Sequence, residues 1–93
     1  MIKNFSSKET EKLFSRQRSA ALPESLQRAA LRKLLLLDAA EELEDLRQPP
    51  GNHLERLRGN RSDQYSIRIN DTRRICFRWS GSEALDVEIV DYH

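Results

Sequence analysis

The chain has 93 residues and a mass of 10.9 kDa, which is enough for one domain, residues 1–93, with a single modest core and little room for a buried cofactor. Charged residues make up 33% of it and hydrophobic residues 38%, a balance typical of a globular domain rather than a disordered chain. The longest aliphatic run is Leu34–Leu37, so we expect no membrane span and no signal peptide. One cysteine, Cys76, and two histidines exclude a disulfide and argue against a metal site, so we expect a reducing cytoplasm.

The first half of the chain has the apolar spacing of helices. Ser6 followed by Glu9 predicts a capping box, and therefore a short helix that ends near residues 16–18. Pro23 favours the first turn of a second helix with one apolar stripe. The stripe consists of Leu26, Ala30, Leu34 and Leu37, and it is widened by Ala29, Leu36, Ala40 and Leu43. The cluster Pro49-Pro50-Gly51 ends this helical half.

After that cluster, apolar residues recur at every second position, as in strands. Three such runs, at residues 64–69, 74–79 and 85–90, are joined by short polar turns and predict an antiparallel meander. The odd-numbered positions carry its apolar face: Tyr65, Ile67, Ile69, Ile75, Phe77, Trp79, Leu85, Val87 and Ile89. We therefore expect an α+β fold, a small antiparallel sheet with the two N-terminal helices packed on one face. Residues 1–5 are expected to form an edge strand.

The even-numbered face of this sheet is predicted to be polar and rich in arginine. It carries Arg68, Arg74, Arg78, Glu88 and Tyr92. Residues 53–79 contain seven arginines and three acids, and arginine suits phosphate because its guanidinium group is a planar fork of donors. Two interpretations remain open at this point: a solvated strand surface with cross-strand ion pairs, or a face that binds nucleic acid.

Three proton-handling residues, Asp91-Tyr92-His93, follow the last predicted strand directly. On the strand period Tyr92 lies on the arginine face, whereas Asp91 and His93 lie on the other face or at the rim. RNA cleavage needs a base for the 2′-hydroxyl, cations for the phosphorane charge and an acid for the leaving 5′-oxygen. Arginines beside these residues would supply that chemistry without a metal. The alternative is that Tyr92 packs against the domain and His93 is solvated.

Several long motifs of the chain strongly resemble one family. They are Pro49-Pro50-Gly51-Asn52, residues 54–61, residues 65–71, residues 74–79 and residues 87–93, and the opening Met1-Ile2-Lys3-Asn4-Phe5 is similar as well. The family is the HigB-type toxins, in the RelE/ParE superfamily of bacterial type II toxin–antitoxin systems. The resemblance implies a ribosome-dependent endoribonuclease that cuts mRNA without a metal. It also implies a cognate helix-turn-helix antitoxin, HigA-like, and contact with operator DNA only through the toxin–antitoxin complex.

The resemblance also implies roles for individual residues. It places the family's C-terminal acid, tyrosine and histidine on Asp91, Tyr92 and His93, with proton transfer for the acid and the histidine and a base or stacking role for Tyr92. It places the strand arginine, which would contact the scissile phosphate, on Arg74. It places a basic loop position on Arg58.

The segment before the sheet departs from the family pattern. Some members have a catalytic histidine two residues beyond His53, where this chain has Glu55. Glu55 is a candidate base, and His53 is the alternative, because both would lie on one face of an extended segment. The RNA is expected to be held by Arg56, Arg58, Arg61 and Arg68.

Two other functions remain open. The first is a ParE-like toxin of the same fold that binds and poisons DNA gyrase and is not an enzyme, since fold alone does not determine function. The Asp91-Tyr92-His93 ending favours the nuclease, because a gyrase-binding protein has no evident use for it. The second is a toxin weakened by Glu55, acting mostly as a partner of its antitoxin in repression.

Overall fold

Two helices precede a four-stranded antiparallel sheet in the computed structural model, which describes residues 1–17 and 22–91. The helices are α1 (Lys8–Phe14) and α2 (Glu24–Ala39), and the strands, in spatial order, are β1 (Glu55–Arg56), β2 (Gln64–Arg68), β3 (Arg73–Ser80) and β4 (Glu83–Asp91). Three 3₁₀ helices span Leu43–Arg47, Pro50–Asn52 and Gly59–Arg61. The predicted α+β class and antiparallel meander are confirmed. No helix in the described part of the chain is long and apolar enough to cross a membrane.

Helix α1 is capped by a different serine from the one that the sequence indicated. The Ser7 hydroxyl oxygen accepts a hydrogen bond from the Thr10 backbone N–H at 3.3 Å, so Ser7 satisfies the first turn. Ser6 instead donates to the Asp86 carbonyl oxygen at 3.2 Å. The capping box of Ser6 and Glu9 was therefore wrong, and α1 ends at Phe14, before the predicted residues 16–18.

Helix α2 supplies the core with the predicted stripe. Leu26, Ala30, Leu34 and Leu37 are all buried, as is Ala40 just after the helix. They join the buried strand residues Ile67, Ile75, Phe77 and Val87 in one hydrophobic cluster. The helix covers the odd-numbered face of the sheet because both surfaces are apolar. Helical spacing collects the apolar residues of α2 on one side, and strand alternation collects those of the sheet on one face. It ends at Ala39, well before the Pro49-Pro50-Gly51 cluster, and 3₁₀ turns fill the interval.

Strand β4 contains a bulge that reverses its alternation. Cys76 pairs with Glu88, but Arg78 pairs with Leu85, so β4 has one extra residue between these pairs. Asp86 has a positive φ of 52° at this point. As a result Ala84, not Leu85, faces the core. The prediction for Leu85 was therefore wrong, because the extra residue puts the side chains before it out of phase with Val87 and Ile89, which keep the predicted face.

The N-terminal segment lies along the outer edge of β4 and holds this bulge. It runs parallel to β4 through isolated bridges at Ile2 to Ala84 and Phe5 to Val87. The Asn4 amide oxygen accepts the Asp86 backbone N–H at 2.9 Å, and its nitrogen donates to Asp86 Oδ1 at 3.0 Å. The predicted position at an edge is confirmed, but the segment forms isolated bridges rather than the predicted strand. Strand β1, which the sequence did not indicate, lies at the opposite edge.

Two adjacent leucines of α2 test this arrangement. We expect Leu34→Ala to lower the free energy of unfolding by about 2–5 kcal/mol, because it leaves a cavity in the core. Leu35→Ala, its matched control, removes a side chain from a residue that is 41% exposed and should change the value by no more than about 0.5 kcal/mol. Urea denaturation measures both. Equal losses would show that α2 presents a different face to the sheet.

Candidate functional site on the polar face of the sheet

The face of the sheet opposite the helices carries three of the predicted site residues, Glu55, Arg68 and Arg74. We call it the polar face; strand register places on it Glu55, Ser66, Arg68, Arg74, Cys76, Arg78, Leu85 and Glu88. Residues directly opposite each other on neighbouring strands point to the same side. Glu55, Ser66, Cys76 and Glu88 therefore form one row across all four strands, with Arg68 and Arg74 in the next row.

Arg74 is the central charged residue of this face, and it is buried. Only 9% of its surface is exposed. Its Nε donates to Ser66 Oγ at 2.8 Å, and its Nη2 donates to the His53 carbonyl oxygen at 2.5 Å. These two contacts fix the plane of the guanidinium group, and neither acceptor carries a charge. The sequence correctly placed Arg74 on the polar face but gave no sign of its burial.

His53 contributes its backbone rather than its ring to this arrangement. Its φ of 44° and ψ of 59° are left-handed, which turns its carbonyl oxygen toward Arg74, while the residue itself is exposed. The segment is therefore not extended, and the premise that His53 and Glu55 share one face was wrong. Glu55 pairs with Ser66 and lies on the polar face.

The turn that carries His53 is held by the buried amide of Asn52. Its Nδ2 donates to the carbonyl oxygens of Leu46, at 3.1 Å, and Gln48, at 3.2 Å. Its Oδ1 accepts from the Lys33 ammonium at 2.5 Å. Burial lowers the pKa of Lys33, and the nearby charges of Arg32 and Arg68 lower it further. The sequence predicted no role for Asn52 or Lys33, because no periodicity links a helix to a loop 19 residues away.

Arg68 lies on the polar face as predicted, Arg61 reaches this face through its contact with Glu88, and each of the two contacts a carboxylate. Arg61 Nη1 lies 3.3 Å from Glu88 Oε1. Because Arg61 follows β1 and Glu88 lies on β4, this ion pair crosses β2 and β3 above the polar face. Arg68 pairs with Asp71 in the turn after β2.

The two other predicted RNA-binding arginines lie apart from this group. Arg56 pairs with Tyr65, which directs it to the opposite face, and its Nε donates to the Ser62 carbonyl oxygen at 2.9 Å. Arg58 is exposed just before the turn at Gly59. The structure therefore does not place Arg56 with Arg74.

The C-terminal residues are only partly covered by the structure. Asp91 pairs with Arg73, and its Oδ2 lies 3.8 Å from Arg73 Nη2, on the face opposite Arg74. This is the side that the strand period predicted for Asp91. Tyr92 and His93 lie outside the described residues. Within residues 1–17 and 22–91, no three histidine, cysteine or acidic side chains form a group that could hold a metal ion.

Comparisons with known proteins agree with this architecture. A model of the RelE-like toxin of the type II toxin–antitoxin system HigB matches residues 3–93. Toxin HigB-1 of Vibrio cholerae is 44% identical over 70 residues, which cover 75% of this chain and 74% of that protein. An uncharacterised protein of Haemophilus influenzae is 39% identical over 62 residues, which cover 67% of this chain and 61% of that protein.

A solved structure shares the fold. The YoeB/ParE toxin from Agrobacterium tumefaciens matches 99% of this chain and 95% of its own with a TM-score of 0.50, at 19% identity. The fold is thus that of the RelE/ParE superfamily of toxins. Within it, the chain belongs to the HigB-like toxin family of type II toxin–antitoxin systems. It is therefore a toxin with a cognate antitoxin as partner.

The burial of Arg74 leads to a stability prediction. Arg74→Ala leaves the buried Ser66 hydroxyl and the His53 carbonyl without this donor, so we expect it to lower the free energy of unfolding by about 1–3 kcal/mol. Arg58→Ala, the control at an exposed arginine, should change the value by no more than about 0.5 kcal/mol. Thermal denaturation compares the two. Equal melting temperatures would show that Arg74 has no structural role.

Proposed function

We propose that this toxin is an endoribonuclease that cleaves mRNA on the ribosome without a metal cofactor. The observation that carries the proposal is the burial of Arg74 on the polar face, where its guanidinium group donates hydrogen bonds to the Ser66 hydroxyl and the His53 carbonyl oxygen. A guanidinium group fixed in advance stabilises the charge that develops on a phosphorane without reorganising during the reaction. A solvated surface arginine would not need such anchoring.

The proposed base is Glu55. It lies on the polar face opposite Ser66, the residue that holds Arg74, whereas His53 contributes a carbonyl oxygen to Arg74. In the proposed reaction Glu55 takes the proton of the 2′-hydroxyl, and the 2′-oxygen attacks phosphorus. The bond to the 5′-oxygen breaks, and that oxygen takes a proton from an acid. The family resemblance assigns the acid to the C-terminal residues, and we propose His93 for it, with Tyr92 stacking on a base.

The remaining charged residues fit roles in RNA binding. Arg61 and Arg68 lie on the polar face with Arg74, and the exposed Arg58 precedes the turn that carries Arg61. We assign the antitoxin to the helix-turn-helix HigA-like class, with operator DNA contacted only through the complex. Asp91, paired with Arg73 on the opposite face, is assigned to the support of the strand end that leads to Tyr92.

Mapping of mRNA 5′ ends after induction in cells tests the reaction. We expect new ends on translated messages and none on matched messages without a start codon. Deletion of Tyr92 and His93 should abolish these ends while leaving the melting temperature and antitoxin binding nearly unchanged, since two terminal residues add little to a core. DNA damage with intact mRNA would contradict the nuclease and support gyrase poisoning. A truncated protein that still cuts at full rate would remove the C-terminal residues from the site.

Salt-dependent binding to ribosomes tests the cations of the polar face. We expect the double variant Arg58→Glu with Arg61→Glu to bind more weakly and to reduce the slope of log Kd against log salt by roughly 1.4, since each phosphate contact on single-stranded RNA contributes about 0.7. Glu88→Gln should bind several-fold more tightly, because it removes the carboxylate that competes for Arg61. Lys8→Glu reverses the charge of an exposed lysine on α1 and serves as the control for charge reversal outside the polar face. Unchanged binding in both test variants would place the RNA elsewhere.

A further inference from the structure

The loop before β1 contributes a backbone hydrogen-bond acceptor to the proposed site. We call residues 46–53 the anchor loop. Its last residue, His53, supplies the carbonyl oxygen that receives Arg74 Nη2 at 2.5 Å. Ser66, the other acceptor, is on a regular strand, where the sheet itself sets its position. The orientation of Arg74 thus depends on the conformation of a loop that sheet pairing does not fix.

Asn52 sets the shape of the anchor loop from inside. Its side chain is completely buried, and its Nδ2 binds the carbonyl oxygens of both Leu46 and Gln48, six and four residues earlier. These bonds close the loop on itself and satisfy two carbonyl groups that strand pairing does not reach. His53 follows directly in the left-handed conformation, which costs a non-glycine residue free energy and persists only where its surroundings impose it.

Lys33 determines which way the Asn52 amide faces. An ammonium group is a donor only, so the amide atom that it contacts at 2.5 Å must be the oxygen. The amide nitrogen is then directed toward Leu46 and Gln48, whose carbonyl oxygens accept its hydrogen bonds. Lys33 belongs to α2, which packs on the other face of the sheet. A continuous set of contacts therefore runs from the core helix through Asn52 and the His53 carbonyl to Arg74.

We infer that Asn52, oriented by Lys33, is a positioning residue for Arg74: it fixes the His53 carbonyl oxygen that holds the guanidinium group toward the polar face. Asn52 itself touches no RNA and transfers no proton. For its kinetic consequence the inference rests on the proposed function, since a misplaced Arg74 matters for rate only if Arg74 acts on the scissile phosphate. Its structural consequence, the ordering of Arg74, stands independently.

The kinetic experiment compares purified variants on ribosomes programmed with a defined mRNA. Asn52→Asp keeps Oδ1 for Lys33 but turns a second oxygen toward the Leu46 and Gln48 carbonyls, and Asn52→Ala removes all three side-chain hydrogen bonds. We expect each to lower kcat about 100-fold per folded molecule, with KM changed less than about 3-fold, because displacement of a reacting group by about 1 Å has this effect. Lys33→Met should lower kcat in the same direction, whereas Lys12→Met, an exposed lysine on α1, should not.

A stability control separates positioning from general unfolding. Leu13→Ala opens the core at α1, a helix that packs against α2 and β4, and it should retain kcat per folded molecule. In an Arg74→Lys background, Asn52→Ala should lower kcat by less than about 3-fold, since its effect passes through the guanidinium group. Equal loss of kcat in Leu13→Ala and Asn52→Ala, or a full additive loss in the Arg74→Lys background, would overturn the inference.

A spectroscopic experiment tests the same inference without RNA. The Arg74 Nε–H resonance, assigned by its absence in Arg74→Lys, should exchange slowly with water in the unmodified toxin because it is buried and bonded to Ser66. Asn52→Ala should accelerate this exchange at least 10-fold, and Leu13→Ala should not. Unchanged exchange in Asn52→Ala would overturn the inference. If the unmodified toxin cuts no mRNA but Asn52→Ala still accelerates the exchange, the proposed function is wrong and the inference about Asn52 stands.

Discussion

The burial of one guanidinium group constrains much of this small toxin. A charged group removed from water is costly unless its donors find acceptors, so Arg74 requires partners at fixed places. Ser66 provides one because its side chain lies on the polar face of the neighbouring strand β2, and the His53 carbonyl oxygen provides another. The second acceptor demands a left-handed residue, and the buried amide of Asn52 holds the loop in the form that allows it. The hydrogen-bond acceptors that the buried Arg74 requires therefore determine how this part of the polar face is built.

The spacing of apolar residues correctly predicted the parts of the fold that depend only on residues close together in the chain. The stripe from Leu26 to Leu37 is buried as expected, because helical spacing alone decides which side chains share a face. The alternation of β2 and β3 placed Arg68 and Arg74 together for the same reason. It failed at Ala84 and Leu85, where the bulge at Asp86 is tied to Asn4, 82 residues earlier in the chain. A contact at that separation leaves no local pattern.

The candidate site shows the same division between local and distant determinants. Strand parity anticipated that Arg74 and Asp91 would lie on opposite faces, and Glu55, suggested by the family resemblance, lies beside Ser66. The sequence did not reveal that His53 would act through its carbonyl oxygen, because a left-handed backbone is uncommon at any residue other than glycine. Contacts between α2 and the loop before β1 could not be predicted either, because the spacing of residues within one element carries no information about its contacts with the other.

The ion pairs of the polar face have a consequence for how this toxin behaves among the many RNA molecules of a cell. Arg61 and Arg78 each lie within 3.5 Å of a carboxylate, and the net charge of the whole chain is only +1. Such self-screening weakens the long-range attraction that draws basic proteins to any polyanion. Phosphate must displace a carboxylate at close range to gain an arginine. For the proposed endoribonuclease we therefore expect a brief encounter with bulk RNA, and retention only of a backbone that presents its phosphates in matching positions.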